Sequence, residues 1–436
     1  MLENTLDRFI SNIILCLTGQ LKDIKGLLIK KHNDNLQIHG DYSFPIALKS
    51  WHEFSVFNQV TDNVNSTIFT ATGKEPECLV EASKDWELSV QKVVIEKGRL
   101  HLFLERPQVI CVSLAETLRI SSVITQRLQQ KYSRVVIDPE CIRKSDITSL
   151  RTKYVYNVIS NIYAIHNLDL DIFVTSKSTS RKEQSTLVFC GTVLSTKTGN
   201  KETVFSAEDF IRLRQNEMTL IAQHKYGVRV TTDSKWKEFV AHLGESAAAF
   251  ELLQTRPSSA VKINFDTCAV GCSKGASFIL YNCARLESIL RTYNDNVSDG
   301  TYPELPQFEQ VDFSLLTQEE EWSLVFNYIL GLPSLLNTCV GTRGESYEFR
   351  PHNICNFLCS MVRVFSQYYR RVRILTCILL QKVNTDTRRV YRRTKSPAAA
   401  ADDPRRRNLK AAGRLITSWK KTGECFIIVF NLEIGN

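Results

Sequence analysis

The stretch Gly275-Ala-Ser-Phe-Ile-Leu-Tyr-Asn-Cys-Ala-Arg-Leu-Glu-Ser-Ile-Leu-Arg291 constrains this chain more than any other. Ile279, Cys283, Leu286 and Leu290 recur at the spacing that lays apolar residues along one face of an α-helix. A second row, Tyr281, Arg285, Ser288 and Thr292, is rotated away from that stripe. It sets a ring, a guanidinium and hydroxyls one turn apart. Such groups can stack on splayed bases and hold phosphates, although the same spacing also describes a core helix with a solvated edge.

The residues of this helix resemble the signature of the DALR anticodon-binding domain in class I arginyl-tRNA synthetases. That pattern is roughly Gly-x-x-x-Tyr-x-x-Tyr-x-x-Ala-Arg-Ile-x-Ser-Ile-Leu-Arg. Gly275 matches the glycine, Phe278 and Tyr281 take the two aromatic places, Ala284-Arg285 match the Ala-Arg pair, and Ser288 to Arg291 match the closing run. The likeness extends over residues 258–376. Ser259-Ala-Val-Lys262 resembles the entry to the domain, and Phe265-Asp266 the pair before the signature helix. A capping box, Thr317-Gln-Glu-Glu320, opens a helix carrying Trp322, Val325 and Ile329, which ends at Gly331-Leu-Pro333. Pro351 stands near the start of a second long helix. Ile354, Leu358, Met361, Phe365 and Tyr368 make its buried stripe, and Arg363, Gln367 and Arg370 line another face. The run from Phe365 to Thr376 is similar to the family's Phe-x-x-Phe-Tyr-x-x-x-x-Val-Leu.

Residues 1–125 read as mixed α and β. Leu6, Phe9, Ile10, Ile13, Leu17, Leu21, Ile24 and Leu28 predict an opening amphipathic helix. Strand-like runs follow at Val93 to Glu96 and Leu100 to Leu104, and the capping box Ser113-Leu-Ala-Glu116 predicts a helix reaching about Tyr132. Gly40-Asp-Tyr42 and the strand from Gly98 to Leu104 resemble elements of the synthetases' N-terminal additional domain. Residues 126–257 alternate short apolar runs (Val135 to Ile137, Ile172 to Val174, Leu187 to Phe189) with helical segments at Ser206 to Lys225 and Ser234 to Leu253. That is an α/β layer. The expected fold class is therefore α/β plus all-α: an arginyl-tRNA-synthetase-like scaffold with a C-terminal DALR helical bundle.

Beyond Thr376 the likeness stops. The net charge of +9 sits almost wholly in residues 377–436, a basic, low-complexity tail with thirteen Lys/Arg against five acids. Such a block binds phosphates through counterion release but more commonly stays disordered. The remaining body carries 42 basic and 41 acidic residues, so any RNA surface on it is a local patch.

No catalytic residue, cofactor or metal is expected. Class I synthetases hold ATP with a His-x-Gly-His signature and a Lys-Met-Ser-Lys-Ser loop. The first has no counterpart here, and Leu194-Ser-Thr-Lys-Thr-Gly-Asn200 offers one lysine in place of the second. There is no Walker loop and no GxGxxG. The thirteen cysteines are scattered and read as reduced thiols; the pairs Cys268/Cys272 and Cys355/Cys359 lack the usual zinc spacing. The acidic N-terminus does not look like a secretory signal, and no apolar run looks long enough to span a bilayer, so a cytoplasmic protein without a membrane partner is expected.

The order of an additional-domain-like segment, a reduced central layer and a DALR domain resembles the non-catalytic DALR-domain proteins of vertebrates. That resemblance implies binding of arginine tRNAs and their presentation to a separate 3-methylcytidine tRNA methyltransferase. RNA contact is expected from Tyr281, Arg285, Arg291, Arg363, Arg370, Arg371 and Arg373. Two other readings stay open: a divergent arginyl-tRNA synthetase, and a scaffold that has lost RNA binding.

Overall fold

The structure is a computed structural model describing residues 2–21, 28–54, 66–130, 134–177, 186–226, 234–265, 274–300, 302, 304–307, 310–343, 346–372 and 413–417. The N-terminal part is built on a four-stranded antiparallel sheet in the order β1-β2-β4-β3, with β1 at Lys30–Lys31, β2 at Tyr42–Pro45, β3 at Val90–Glu96 and β4 at Arg99–Leu104. Leu100, Leu102 and Leu104 point into the core with the period of two that a pleated strand imposes. Helix α1, Thr5–Thr18, buries Leu6, Phe9, Ile13 and Leu17 against this layer. It is shorter than its apolar repeat predicts. Gly19 adopts a left-handed φ of 70° and returns its N–H to the Leu15 carbonyl, ending the helix, and Leu21 is left 72% exposed.

Helix α2 spans Arg106–Leu128 and corrects two expectations. It starts a full two turns before Ser113, with Pro107 in its first turn, where a missing N–H costs nothing. Ser113 is therefore interior, and its hydroxyl donates to the Val109 carbonyl at 2.6 Å instead of capping. α2 is also long and apolar enough to cross a membrane by length and composition, contrary to the sequence expectation. In this fold Val109, Ile110, Leu114, Ile120 and Ile124 are buried inside the protein instead.

The central layer holds a parallel sheet, β5-β6-β7, at Val135–Ile137, Ile172–Thr175 and Thr186–Phe189. Helix α3, Ile147–His166, makes the crossover between β5 and β6, as parallel pairing requires. A second parallel pair joins β8, Val193–Ser195, to β9, Val261–Ile263. Between them come helices α4, Ala207–Tyr226, and α5, Ser234–Leu253. Two buried arginines fix this layer. Arg214 makes a two-pronged bond to Glu251 at 2.7 and 3.1 Å and also reaches Glu217, tying α4 to α5. Arg151 on α3 donates to the carbonyls of Leu252, Gly191, Ser259, Thr255 and Arg256 at 2.6 to 3.3 Å.

The C-terminal part opens with the signature helix α6, Lys274–Ser298. A helix at Glu319–Ser323 continues as a π-helical stretch, Leu324–Ile329, and a further helix follows at Leu332–Thr338. Its capping box lies one residue later than predicted: the Gln318 N–H donates to Glu321 at 2.9 Å. The chain does not stop at Gly331-Leu-Pro333, because Pro333 occupies the first turn of the next helix. A hairpin of β10, Val340–Arg343, and β11, Ser346–Phe349, leads into helix α7, His352–Arg371. Ile354, Leu358, Met361, Phe365 and Tyr368 are all buried on α7, the stripe read from the sequence. Within 377–436 only 413–417 is described. There Leu415 and Ile416 are buried, and Arg414 donates to the Pro306 carbonyl at 2.7 Å.

The N-terminal and C-terminal parts share one core. Asp41 accepts from the Leu104 N–H and from the Trp322 indole, both at 2.8 Å. Lys31 lies 4.4 Å from the Phe326 ring centroid, and Asn337 exchanges two hydrogen bonds with the backbone of Leu2. Burial raises the Asp41 carboxyl to about 6. A raised folded value favours the protonated fold, so this group's contribution falls as pH rises from 3.8 through about 6, by roughly 3 kcal/mol at most. Burial holds His166 and His32 down near 4, which acts in the opposite direction over the same range. A comparison with Asp41→Asn isolates the carboxyl. The urea midpoint of the parent should fall relative to that of the variant as pH rises from about 4 to about 7. Parallel curves would show that Asp41 does not titrate in that window.

Candidate nucleic-acid interface

Helix α6 buries Ala276, Ile279, Leu286, Ile289 and Tyr293, and Asn282 is completely enclosed. Cys283 and Leu290 are half-buried at the edge of that face. The buried face is thus turned slightly from the predicted stripe, and Asn282 sits within it because its amide donates to the Phe278 carbonyl at 2.7 Å. Gly275 has a packing reason. A Cβ there would stand 3.2 Å from the Phe250 ring on α5 and 3.8 Å from the Cys359 sulfur on α7.

Ten residues further along each helix, Arg285 of α6 meets Tyr369 of α7. The two helices therefore run side by side in the same direction. The Arg285 guanidinium lies 4.1 Å from the Tyr281 ring centroid and 4.7 Å from that of Tyr369. It also donates to the Tyr281 hydroxyl at 2.8 Å and to the Asn282 side chain at 3.4 Å. Tyr281, Arg285 and Tyr369 are each half-buried. The guanidinium thus joins the two helices and still reaches the surface. Tyr369 was not among the residues singled out from sequence. Its neighbour Tyr368 turns inward and donates to Glu321 at 2.8 Å.

The other expected contacts lie on the same two helices. Arg363, Arg370 and Arg371 are exposed on α7, and Arg291 is exposed on α6. The Arg370 Nε donates to the Ser366 carbonyl at 3.2 Å, and Arg371 is ion-paired with Glu320. Arg363 forms no hydrogen bond or ion pair with any described residue. Arg373 lies outside the described residues, as do Cys268 and Cys272. Cys355 and Cys359 sit one turn apart on α7, and burial raises both thiols. No group of three or more His, Cys, Asp or Glu among the described residues is arranged to hold a metal ion.

Two long helices hold an arginine between two tyrosine rings, and Arg363, Arg370 and Arg371 are exposed on one of them. Comparison with known proteins gives the class. Residues 279–388 match the family described as the DALR anticodon binding domain, running twelve residues past Thr376 where the likeness read from the sequence stops, so this chain carries a DALR domain on a fold like that of arginyl-tRNA synthetases. Over 224 residues it is 32% identical to the mouse (Mus musculus) DALR anticodon-binding domain-containing protein 3, covering 51% of this chain and 41% of that protein. Over 197 residues it is 33% identical to the zebrafish (Danio rerio) protein of the same name, covering 43% and 34% respectively. The chain spans about two fifths or less of the length of these relatives. The arginyl-tRNA synthetase of Thermus thermophilus superposes with a TM-score of 0.51 at 11% identity, over 99% of each chain, which is a likeness of fold alone.

Proposed function

We propose that this chain is a non-catalytic tRNA-binding protein. It holds arginine tRNAs on the exposed side of α6 and α7 and presents them to a 3-methylcytidine tRNA methyltransferase. The observation that carries the reading is the Tyr281–Arg285–Tyr369 cluster beside Arg363, Arg370 and Arg371 on a DALR domain. Rings offer stacking faces and guanidinium groups neutralise phosphates, which together suit a single-stranded loop. The absence of His-x-Gly-His from the sequence supports a binding role over arginine activation. The proposed site of action is the cytoplasm, in keeping with cysteines kept as thiols.

The test compares arginine tRNA with a non-cognate tRNA at stated salt. It then asks whether purified methyltransferase modifies arginine tRNA only when this chain is added. Preferential binding and chain-dependent methylation are expected, with no arginine-dependent pyrophosphate exchange. Exchange that survives removal of contaminating synthetase would restore the enzyme reading. Alanine at Arg363, Arg370, Arg371 and Arg373 together should lower the log–log salt slope by about 0.7 to 0.9 for each phosphate no longer neutralised. An unchanged slope would mean that these arginines only solvate the helix end.

A further inference from the structure

A second cationic surface lies outside the DALR domain. An open cavity of about 490 Å³ is walled by Arg143, Lys144, Lys153 and Arg212, with Glu208 its one acid. It forms where helices α3 and α4 begin together. The Ala207 N–H donates to the Ser145 carbonyl at 2.7 Å, and Asp146 bridges to Ser206. The short helix Pro139–Arg143 that precedes them forms its other wall. The two helix starts are already answered by their own acids, Asp146 at the Ser149 N–H and Asp209 at the Ser206 hydroxyl. The positive character of the cavity therefore comes from its side chains.

Those side chains are largely unspent. Arg143 and Lys153 make no hydrogen bond or ion pair with any described residue. Lys144 reaches Glu140 only at 3.9 Å, and Glu140 is held more closely by Lys177. Arg212 pairs with Glu208 at 2.8 Å across one helical turn, an exposed contact of small energy. Ile142, 54% exposed, and Ile211 put apolar surface among the charges. Four cations against one acid suit the phosphates of a nucleic-acid backbone. The body of the chain is close to neutral, with 42 basic and 41 acidic residues before the tail, so this concentration is local.

We propose that this groove binds the phosphodiester backbone of the same RNA that the DALR domain holds, at a segment outside the anticodon arm. The inference rests on the tRNA-binding reading above. Helix α5 packs on α3 and α4 with one side and on α6 and α7 with another. One helix layer thus separates the groove's helices from the DALR helices. With interaxial distances of about 8–10 Å per step, the axes of the groove's helices and of the DALR helices stand roughly 16–20 Å apart, a span that a folded RNA covers and a mononucleotide does not. Each surface alone offers few phosphate contacts, and their combination raises affinity through a shared ligand.

The test uses the full chain with two probes, an arginine tRNA and its isolated anticodon stem–loop. The variant Arg143→Ala/Lys144→Ala/Lys153→Ala/Arg212→Ala should bind the tRNA at least about ten-fold more weakly, with a salt slope lower by roughly 2 to 3. Its binding of the stem–loop should be unchanged. Glu208→Gln removes the single acid and should tighten tRNA binding, so the proposal stays exposed to failure even if the quadruple variant folds poorly. A tRNA slope indifferent to both variants overturns the groove and leaves the proposed function standing. Equal losses on tRNA and stem–loop also overturn it, because the groove would then serve the anticodon arm. Displacement of tRNA from the parent, but not from the quadruple variant, by millimolar AMP would show a mononucleotide site instead. A parent that binds neither RNA overturns the tRNA-binding reading itself, and the groove's role with it.

Discussion

Replacing Arg151 with methionine should unfold the central layer at a temperature on the order of 10 °C below the parent. The guanidinium has five N–H groups, and all five are used, one each on the carbonyls of Leu252, Gly191, Ser259, Thr255 and Arg256. Three of these carbonyls belong to the end of α5 and the residues just after it, where a helix leaves acceptors without intrahelical partners. The other two belong to the strands' flanks, Gly191 before β8 and Ser259 before β9. One side chain thus caps a helix and holds two chain crossings together. Among the described residues no acid pairs with it, and burial pushes its pKa down. Removing the charge returns some desolvation energy. It also strands five acceptors, each costing about 1 kcal/mol or more, for a net loss of about 3–5 kcal/mol. Thermal melts and urea titrations of Arg151→Met and Arg151→Lys measure this. Lysine, with three donors in a different geometry, should recover only a fraction. A loss below about 1 kcal/mol in Arg151→Met would mean that water satisfies these carbonyls as well as arginine does.

Arg151 also marks what the sequence could not reveal. It stands in α3, a helix with no clean apolar stripe, where an arginine reads as a solvated residue. Its partners lie some forty to one hundred residues away, and no local pattern encodes them. The elements that were legible have strong local signals. The runs at Val135, Ile172 and Leu187 became β5, β6 and β7, and the segment from Ser234 to Leu253 became α5 with those same bounds. The stripe on α7 was legible because five apolar residues repeat at helical spacing. Misreadings arose where two local signals competed. Ser113 and Glu116 fit a capping box, yet Pro107 and the apolar residues after it carry the helix back to Arg106. In α1, the apolar repeat ran on after Gly19 had already ended the helix. Helix α2 shows the limit of reading apolarity by length. No unbroken apolar run extends along it, whereas its length and overall composition are those of a helix that could cross a membrane.

The candidate site shows the same division. Tyr281 and Arg285 were visible because they share a helix at a spacing of four. Tyr369 was not, because its place beside Arg285 depends on the parallel packing of α6 against α7. That third residue alters what an arginine substitution tests. Arg285→Ala removes two ring contacts of about 0.5–1 kcal/mol each and one good hydrogen bond of about 1 kcal/mol, so it should destabilise the protein by about 1–3 kcal/mol. It should also weaken tRNA binding by ten-fold to one hundred-fold if the guanidinium holds a phosphate or base edge. Tyr369→Leu separates these effects. It removes one ring from the clasp and leaves the charge in place, so stability should fall by about 1 kcal/mol while the salt slope of binding stays at the parent value. Tyr281→Phe keeps the stacking face and removes the hydroxyl that occupies one arginine N–H. That variant should bind tRNA as tightly as the parent. Affinity, salt slope and thermal midpoint must be measured on each variant. If Arg285→Ala lowers the midpoint while affinity and slope stay at the parent values for the folded fraction, the clasp is a helix-packing device. The RNA surface would then rest on the exposed arginines of the two helices, Arg291, Arg363, Arg370 and Arg371.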